Sequence, residues 1–171
     1  LNASEFMSWT SAKWNARKYS GILLQGPRSV VASNKLTGIN FGISITSGQI
    51  LSNTVNGFSG DAIRSGSNST VKRNRILNCF QIDGNHADGF QAWAGAEPLT
   101  NLTLDGNTII EWTTGDKNNP LRCFLQGIGL YDGPYVNLKI INNLVSVSSY
   151  HGISVYGARG LRIINNTAVH V

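Results

Sequence analysis

An internal repeat organises this sequence. Six times, a small residue precedes an apolar residue and a stretch that alternates in polarity, and the copies begin at Gly21, Gly42, Ala62, Gly89, Gly127 and Gly152. After each copy comes an Asn with an apolar residue two places later, at Asn34, Asn53, Asn74, Asn107, Asn143 and Asn166. Two patterns that keep step along a chain indicate a repeat architecture, in which each unit buries its apolar face by stacking on its neighbours.

The repeat unit is made of strands and turns. Alternation with period two is typical of strands, and the stretches between copies are too short for a crossover helix. Coils of about 20 residues, stacked ~4.8 Å apart, then bury the alternate apolar residues in one column. We therefore predict an all-β parallel β-helix of about six coils. The alternative is a β-sandwich, which explains the six-fold register poorly. An Asn at one turn position can adopt the αL region and bond to the next coil.

The repeat also sets the domain organisation. Residues 21–171 are predicted to form the β-helix, and residues 1–20 either an N-terminal cap-like segment or a loop from a preceding coil. Insertions interrupt the register between an Asn-bearing strand and the next copy, at Asn78 to Ala87 and at Trp112 to Gln126. We expect both to project from one edge, with Glu97 to Thr100 extending another turn, because solenoids accommodate insertions as loops on one face.

The ends of such a solenoid need protection. An uncapped terminal coil exposes apolar core and unpaired strand edges. Val171 falls within the last Asn-bearing strand, while Trp9 and Trp14 are the residues available to cover the first coil, together with Ser4. We expect either a homo-oligomer or the remainder of a longer chain to pack on the solenoid ends.

The composition of the chain limits the classes of partner that it can bind. The chain is 13% charged and 41% hydrophobic, which predicts a packed core rather than disorder. Its formal charge is +5, but the basic residues form no run beyond Lys72, Arg73 and Arg75. A few cations suit an acidic polysaccharide, whereas nucleic acid requires a broader basic surface, so we expect no nucleic-acid partner. No apolar stretch approaches the ~18 residues of a membrane span, so we expect no membrane partner.

The two cysteines leave two interpretations open. Cys79 and Cys123 can pair in an oxidising compartment, or they can be buried free thiols. The chain shows no signal-peptide pattern. Its glycosylation sequons are expected by chance in a sequence this rich in Asn, Ser and Thr, and they begin at Asn2, Asn68, Asn101 and Asn165.

The outward positions carry the functional signal. Next to the inward apolar residue of each strand lie, in order, Leu23, Ser44, Arg64, Gln91, Gly129 and Ser154. Two places further along lie Gln25, Thr46, Gly66, Trp93, Tyr131 and Tyr156. Aromatic faces stack on sugar rings while polar neighbours bind the hydroxyls, although the same aromatics can instead lie beneath a loop or an oligomer interface. Candidate substrate-binding residues are Gln91, Trp93, Asp132 and Tyr156.

A second column lies two places before each inward residue: Ser20, Phe41, Asp61, Asp88, Gln126 and His151. With this column the chain resembles the right-handed parallel β-helix proteins of the pectin lyase-like superfamily. The resemblance implies a single-stranded right-handed β-helix with its site in the outer groove. It implies the activities of polysaccharide lyases, hydrolases, epimerases or tailspike depolymerases, and a secreted, extracellular or virion-borne location. Fold analogy leaves these activities unresolved.

Two segments resemble polygalacturonase motifs. The stretch from Asn85 to Phe90 is similar to the Asn-Thr-Asp-Gly motif, and the stretch from Tyr150 to Val155 is similar to the Gly-His-Gly-Ile-Ser-Ile motif. Between them polygalacturonases carry an Asp-Asp pair, where this chain has Leu125 and Gln126. The paired carboxylates that inverting hydrolysis requires are therefore missing at that point. The Arg-x-Pro-x-x-Arg motif of pectate lyases has no counterpart.

Lyase chemistry needs a different set of groups: a base for the proton α to a uronate carboxylate, an acid for the leaving oxygen and a cation for the carboxylate. The candidate catalytic residues are His86, Asp88, His151, Tyr131 and Arg64. Each has a structural alternative, since Asp88 can cap a turn, His151 can bond within the stack and Arg64 can be solvated. The leading hypothesis is a uronan lyase, with a glycoside hydrolase or a non-catalytic glycan-binding or tailspike-type solenoid as alternatives.

Metal binding has little support in the sequence. Asp83, Asn85, Asp88 and Glu97 offer oxygen ligands of the kind Ca²⁺ prefers, but their spacing matches no loop template. Ca²⁺ is therefore a candidate cofactor without a defined site. A transition metal at His86 and His151 would require a third ligand, so no metal ligand is assigned.

Overall fold

The computed structural model describes residues 5–171, so the sequon at Asn2 and the capping role considered for Ser4 lie outside the described residues. A 3₁₀ helix (Glu5–Ser8) and a short helix α1 (Ser11–Asn15) precede the strands. The first three coils comprise β1 (Ser20–Leu24), β2 (Ser29–Ala32), β3 (Lys35–Ile39), β4 (Phe41–Ile45), β5 (Gly48–Leu51), β6 (Thr54–Phe58), β7 (Ile63–Ser65), β8 (Ser69–Lys72) and β9 (Arg75–Cys79). The last three comprise β10 (Asp88–Gln91), β11 (Leu99–Asp105), β12 (Thr108–Ile110), β13 (Gln126–Leu130), β14 (Tyr135–Ile141), β15 (Leu144–Val147), β16 (Ile153–Val155), β17 (Ala158–Arg159), β18 (Arg162–Ile164) and β19 (Thr167–His170).

Corresponding strands of successive coils stack into three parallel sheets. Sheet 1 has the order β1-β4-β7-β10-β13-β16. Sheet 2 has the order β2-β5-β8-β11-β14-β17, and β18 also pairs with β14. Sheet 3 has the order β3-β6-β9-β12-β15-β19. The register of sheet 1 aligns the apolar residues of the repeat, namely Ile22, Ile43, Ile63, Phe90, Ile128 and Ile153. The predicted parallel β-helix is thus confirmed, and with it the predicted inward column. The sandwich alternative is wrong.

A ladder of asparagines joins the coils at the turn between sheets 2 and 3. The side chain of Asn74 accepts bonds from the backbone N–H and the side-chain amide of Asn53, at 2.9 and 3.0 Å. It donates to the backbone oxygen of Ile50 and to Oδ1 of Asn107, both at 2.9 Å. The same pattern extends from Asn34 to Asn166. Each buried amide therefore satisfies backbone groups that the turn leaves unpaired.

The backbone conformation of the ladder differs from the sequence-based expectation. The ladder asparagines do not adopt the αL region. The residue just before each of them does, at Ser33, Ser52, Arg73, Gly106, Asn142 and Asn165. The positive φ at this preceding position turns the chain, and the Asn itself is left to direct its side chain along the stack.

We predict a position-dependent cost of breaking the ladder. Asn74→Ala leaves several buried polar groups without partners and should lower the free energy of unfolding by ~3 kcal/mol. Asn34→Ala, at the exposed end of the ladder, should cost about 1 kcal/mol or less. Urea unfolding of the two variants measures the difference, and equal losses would contradict a cooperative buried ladder.

Both long insertions emerge between sheets 3 and 1, as predicted, and they contact each other. Phe80 forms an antiparallel bridge with Arg122, and Cys79 forms a disulfide with Cys123. The pairing interpretation of the two cysteines is therefore the one that the structure bears out.

The carboxylate of Glu111 is fully buried and accepts hydrogen bonds from the Arg122 guanidinium, from the Leu125 N–H and from the backbone N–H and hydroxyl of Ser148. These bonds fix the second insertion. The predicted extension over Glu97 to Thr100 is shorter, because Leu99 and Thr100 already belong to β11.

The N-terminal segment packs on the side of the solenoid. Phe6 and Trp9 lie against Gly57 and Gly38 of sheet 3, whose lack of side chains makes room for the rings. Trp14 stacks on Phe80 of the first insertion, with ring centroids 4.8 Å apart. Trp9 and Trp14 therefore cover the outside of sheet 3 rather than the end of the first coil.

The last coil carries apolar side chains that are about half exposed, including Ile163 at 50% and Ile164 at 47%. The packing of a partner on the ends stays a prediction. Among residues 5–171, no helix has the length and apolar character needed to cross a membrane.

Candidate active site

The outward face of sheet 1 forms the floor of the candidate site. The ladder pairs Arg64 with Gln91, Gln91 with Gly129 and Gly129 with Ser154, so these residues occupy one column on four consecutive coils. The second column, two places before the inward residues, lies beside it and holds Asp61, Asp88, Gln126 and His151, as predicted. Residues three apart in sequence face each other across the two columns, as the contacts of Asp61 with Arg64 and of His151 with Ser154 show.

Asp88 is the buried centre of this face. Its side chain is 0% exposed, and neither carboxyl oxygen has a hydrogen-bond partner among the described residues. Its backbone N–H donates to Oδ1 of Asp61 on the preceding coil at 3.0 Å. Burial, followed by the charge of Asp61, raises the pKa of Asp88 from 3.8 to about 8, and Arg64 opposes this shift. A carboxyl with such a pKa can hold or release a proton near neutral pH.

Arg64 is held in place by neighbours on both sides. Its Nε and Nη2 donate to Oδ2 of Asp61 at 2.6 and 2.5 Å. The guanidinium lies over the ring of Phe41, 4.1 Å from the centroid, and 5.4 Å from the ring of Trp93. The solvated alternative for Arg64 is therefore wrong. Its remaining N–H groups have a fixed direction, which favours recognition of a carboxylate.

His86 stands above Asp88 at the edge of the groove. Its Nδ1 lies 3.8 Å from Oδ2 of Asp88, and its side chain is 66% exposed. The separation is longer than a hydrogen bond. The imidazole is therefore open to solvent on one side and faces a buried carboxyl group on the other.

Tyr131 covers Asp88 from the following coil. A Cβ atom on Gly129 would collide with Oδ1 of Asp88 and with the Tyr131 ring, so the absent side chain creates the space in which that ring lies. The Tyr131 hydroxyl is buried without a hydrogen-bond partner of normal geometry among the described residues. Burial, followed by the charge of Asp88, raises the pKa of Tyr131 well above 10. Tyr131 therefore keeps its proton at neutral pH.

His151 belongs to an aromatic cluster beside Tyr131. Its ring centroid lies 5.1 Å from that of Tyr131 and 4.0 Å from that of Tyr150. Its Nδ1 shares a hydrogen bond of 2.8 Å with the hydroxyl of Ser154 on the same coil. Tyr156, half-exposed, lies 5.4 Å from Tyr131 between ring centroids.

The predicted residues are gathered around two points of the groove. Arg64, Asp88, His86 and Tyr131 occupy three consecutive coils centred on Asp88. His151 lies three coils from Arg64, which is ~14 Å along the axis at the usual strand spacing, so these two residues cannot contact the same sugar atoms.

The predicted substrate-binding residues differ in their placement. Gln91 lies on the groove floor beside Arg64, and Trp93 and Tyr156 are exposed along its length. Asp132 lies on an exposed loop, where its backbone bonds to Ala94 and Tyr135. No described contact joins the Asp132 side chain to the groove residues.

Three further residues shape the site without a role predicted from the sequence: Asp61, Gly129 and Ser154. Asp61 orients Arg64 and raises the pKa of Asp88, while Ser154 holds His151. The signal for Asp61 was its place in the same second column as Asp88, three residues before Arg64. The role of Gly129, which is to leave space for the Tyr131 ring, follows only from the position of that ring.

The oxygen ligands considered for Ca²⁺ do not converge. Asp83 is paired with Lys18 at 2.6 Å, and Asp88 is buried beneath Tyr131. Within residues 5–171, no group of three or more His, Cys, Asp or Glu side chains is arranged to hold a metal ion.

Comparison with known families identifies the architecture. The family model described as "Right handed beta helix region" matches residues 11–168, more than nine-tenths of the chain. The chain belongs to the right-handed beta-helix family. No curated protein and no solved structure matches this beta-helix protein.

Family membership confirms the right-handed parallel β-helix of about six coils. It supports the kind of fold on which carbohydrate-active enzymes are built, and it names no reaction. The chemistry of this beta-helix protein must therefore be argued from the groove residues themselves.

Proposed function

We propose that this chain is a carbohydrate-active enzyme that cleaves an acidic polysaccharide of the uronan type by β-elimination. The observation that carries the proposal is the buried carboxyl of Asp88, which has no hydrogen-bond partner among residues 5–171, with His86 above it, Tyr131 over it and Arg64 beside it. An uncompensated buried carboxyl is costly, and such groups are concentrated at functional sites.

The proposed reaction uses one residue from each of three coils. Arg64 binds the uronate carboxylate, since Asp61 and Phe41 already fix its guanidinium. The imidazole of His86 takes the proton α to that carboxylate, and the C–H electron pair becomes the carbon–carbon double bond. The bond to the leaving glycosidic oxygen breaks, and that oxygen takes the proton of Tyr131.

Asp88 and His151 support these steps. Asp88 faces Nδ1 of His86, and the positive charge that His86 gains on proton transfer favours the ionised form of Asp88, which then stabilises the imidazolium. The Tyr131 hydroxyl is covered in the free protein, so the ring must turn toward the groove when substrate binds. His151, Tyr150 and Tyr156 then line the surface along which the leaving part of the chain lies.

A hydrolase is the second candidate, and one observation favours it. Asp61 and Asp88 place two carboxyl groups on adjacent coils, and the raised pKa of Asp88 suits a general acid. The Asp-Asp pair of polygalacturonases is still absent, because Leu125 and Gln126 occupy its place. Asp61 would then have to serve as the base while paired with Arg64.

The products distinguish the two reactions. β-Elimination leaves a double bond conjugated to a carboxylate, which absorbs in the ultraviolet, whereas hydrolysis yields reducing ends without that absorbance. We expect incubation with alginate, pectate or glycosaminoglycans to raise the ultraviolet absorbance together with the reducing ends. Reducing ends alone would support the hydrolase, and neither signal on any acidic polysaccharide would contradict both activities. Binding without any change in glycan length would support the non-catalytic solenoid.

The disulfide supports an extracellular location as part of this proposal. Cys79 and Cys123 are both buried and paired, and disulfides persist in oxidising compartments. A polysaccharide too large to enter a cell is degraded in such surroundings.

A further inference from the structure

Two adjoining cavities flank Trp93 on the N-terminal side of the Asp88 centre. One has a volume of about 200 Å³ and the other about 400 Å³, and both are bounded by Thr46, Gly66 and Trp93. These three residues hold the same position on three consecutive coils. Gly66 lines both cavities and lies close to the Thr46 carbonyl oxygen, which a Cβ atom at this position would approach to 2.5 Å. Trp93 stands beside the cavities with 48% of its surface exposed. An exposed indole ring therefore lies along one side of the two cavities.

Three hydroxyl groups that line these cavities accept one hydrogen bond each, which leaves one lone pair and the hydroxyl proton of each available to a ligand. Thr46, Ser47 and Ser67 each accept a backbone N–H, so each hydroxyl proton is directed away from that bond and is available to donate. The bonds are Gly26 N to Thr46 Oγ1 at 3.4 Å, Arg28 N to Ser47 Oγ at 3.3 Å and Thr100 N to Ser67 Oγ at 3.0 Å. Donors fixed in this way match the hydroxyl oxygens of a sugar ring.

The charges around Trp93 disfavour an anion. Arg64 lines the smaller cavity, but its guanidinium is paired with Asp61 at 2.5 Å, and in the proposed reaction it binds the uronate carboxylate at the Asp88 centre, so it is not available to a second anion. The larger cavity contains Glu97 and no basic side chain. A carboxylated sugar placed there would meet a like charge, whereas a neutral ring would meet an indole face and hydroxyl donors.

We propose that the space around Trp93 is a binding subsite for a neutral pyranose ring. The subsite extends from Trp93, on the same coil as Asp88, to Thr46 two coils earlier, or ~10 Å along the axis, a distance spanned by one or two sugar residues. This inference rests on the proposed function, and it specifies the substrate: an acidic heteropolysaccharide in which a neutral sugar lies beside the uronate, toward the N-terminal coils.

Calorimetric titration with neutral and acidic tetrasaccharides tests the subsite without any cleavage. The neutral probes are cellotetraose, mannotetraose and xylotetraose, and the acidic probe is tetraguluronate. We expect at least one neutral probe to bind. Trp93→Ala should weaken that binding at least ~10-fold through loss of stacking, and Thr46→Val should weaken it ~3-fold through loss of one hydroxyl. Phe124→Ala, an exposed aromatic of the second insertion outside both cavities, is the matched control and should change nothing.

Three results would overturn the proposal: no neutral probe binds, Trp93→Ala binds the neutral probe as tightly as the unaltered chain, or Trp93→Ala weakens binding of tetraguluronate as much as that of the neutral probe. Thermal unfolding of each variant shows whether a loss of binding reflects a loss of fold. The outcome is separable from the proposed activity. Trp93-dependent binding of a neutral probe without uronan cleavage would support the subsite and contradict the lyase activity. Uronan cleavage without binding of a neutral probe would support the lyase activity and contradict the subsite.

Discussion

Replacing His86 by alanine is expected to lower kcat on a uronan substrate at least ~100-fold with little change in KM. A positioned general base contributes about 10²–10⁴ to the rate, and His86 is the exposed imidazole that faces the buried Asp88 carboxyl at 3.8 Å. Its removal affects the transition state more than substrate binding, so the loss should appear in kcat. Steady-state rates of the ultraviolet-absorbing product, measured over a range of substrate concentrations, separate the two parameters.

His151→Ala is the matched comparison, because it removes the other imidazole of the groove from a cluster three coils away from Arg64. We expect this change to raise KM mainly, since His151 packs with Tyr131 and Tyr150 along the leaving side of the substrate. If His86→Ala retains full kcat while His151→Ala loses it, the base is His151 and the reacting centre moves to the last two coils.

Asp88 should make the stability of the protein fall as the pH rises. Its pKa is about 8 in the folded chain and near 3.8 when unfolded, so the folded state binds the extra proton between these values. The stabilising contribution is complete below about pH 4 and is lost progressively as the pH rises to 8. A difference of this size corresponds to on the order of 5 kcal/mol of unfolding free energy across that window.

Asp88→Asn removes the titrating group while keeping its shape. The variant should show a flatter stability profile from pH 4 to pH 8 and should be more stable than the unaltered chain at pH 8. Asp132→Asn, on an exposed loop, should leave the profile unchanged. Urea unfolding at a series of pH values gives these curves. A parallel decline in the Asp88→Asn variant would show that another group is responsible.

The fold was predictable because the repeat is local and redundant. Every coil repeats an inward apolar residue and an Asn at the same two positions, and a one-residue slip would expose the whole apolar column. The register that aligns Ile43, Ile63 and Phe90 therefore follows from the sequence. The αL position one residue before each Asn did not follow, because four different residue types occupy it, namely Ser, Arg, Gly and Asn.

The composition of the groove was also determined by the sequence. Once the coil register is known, the outward positions of Arg64, Gln91, Trp93 and Tyr131 are set by the alternation of side chains along a strand. Their approximate spacing along the axis follows as well, because successive coils stack at a constant distance.

Only the tertiary structure decided which of these groups act on one another. Side-chain packing joined Arg64 to Asp61, laid Tyr131 over the space at Gly129 and left the buried Asp88 carboxyl without a hydrogen-bond partner in the described part of the chain. It also closed the Cys79–Cys123 pair and placed Trp9 and Trp14 on the side of sheet 3. These outcomes depend on side-chain rotamers and on the paths of the two insertions. Neither is periodic, so the repeat that determines the coils contains no information about them.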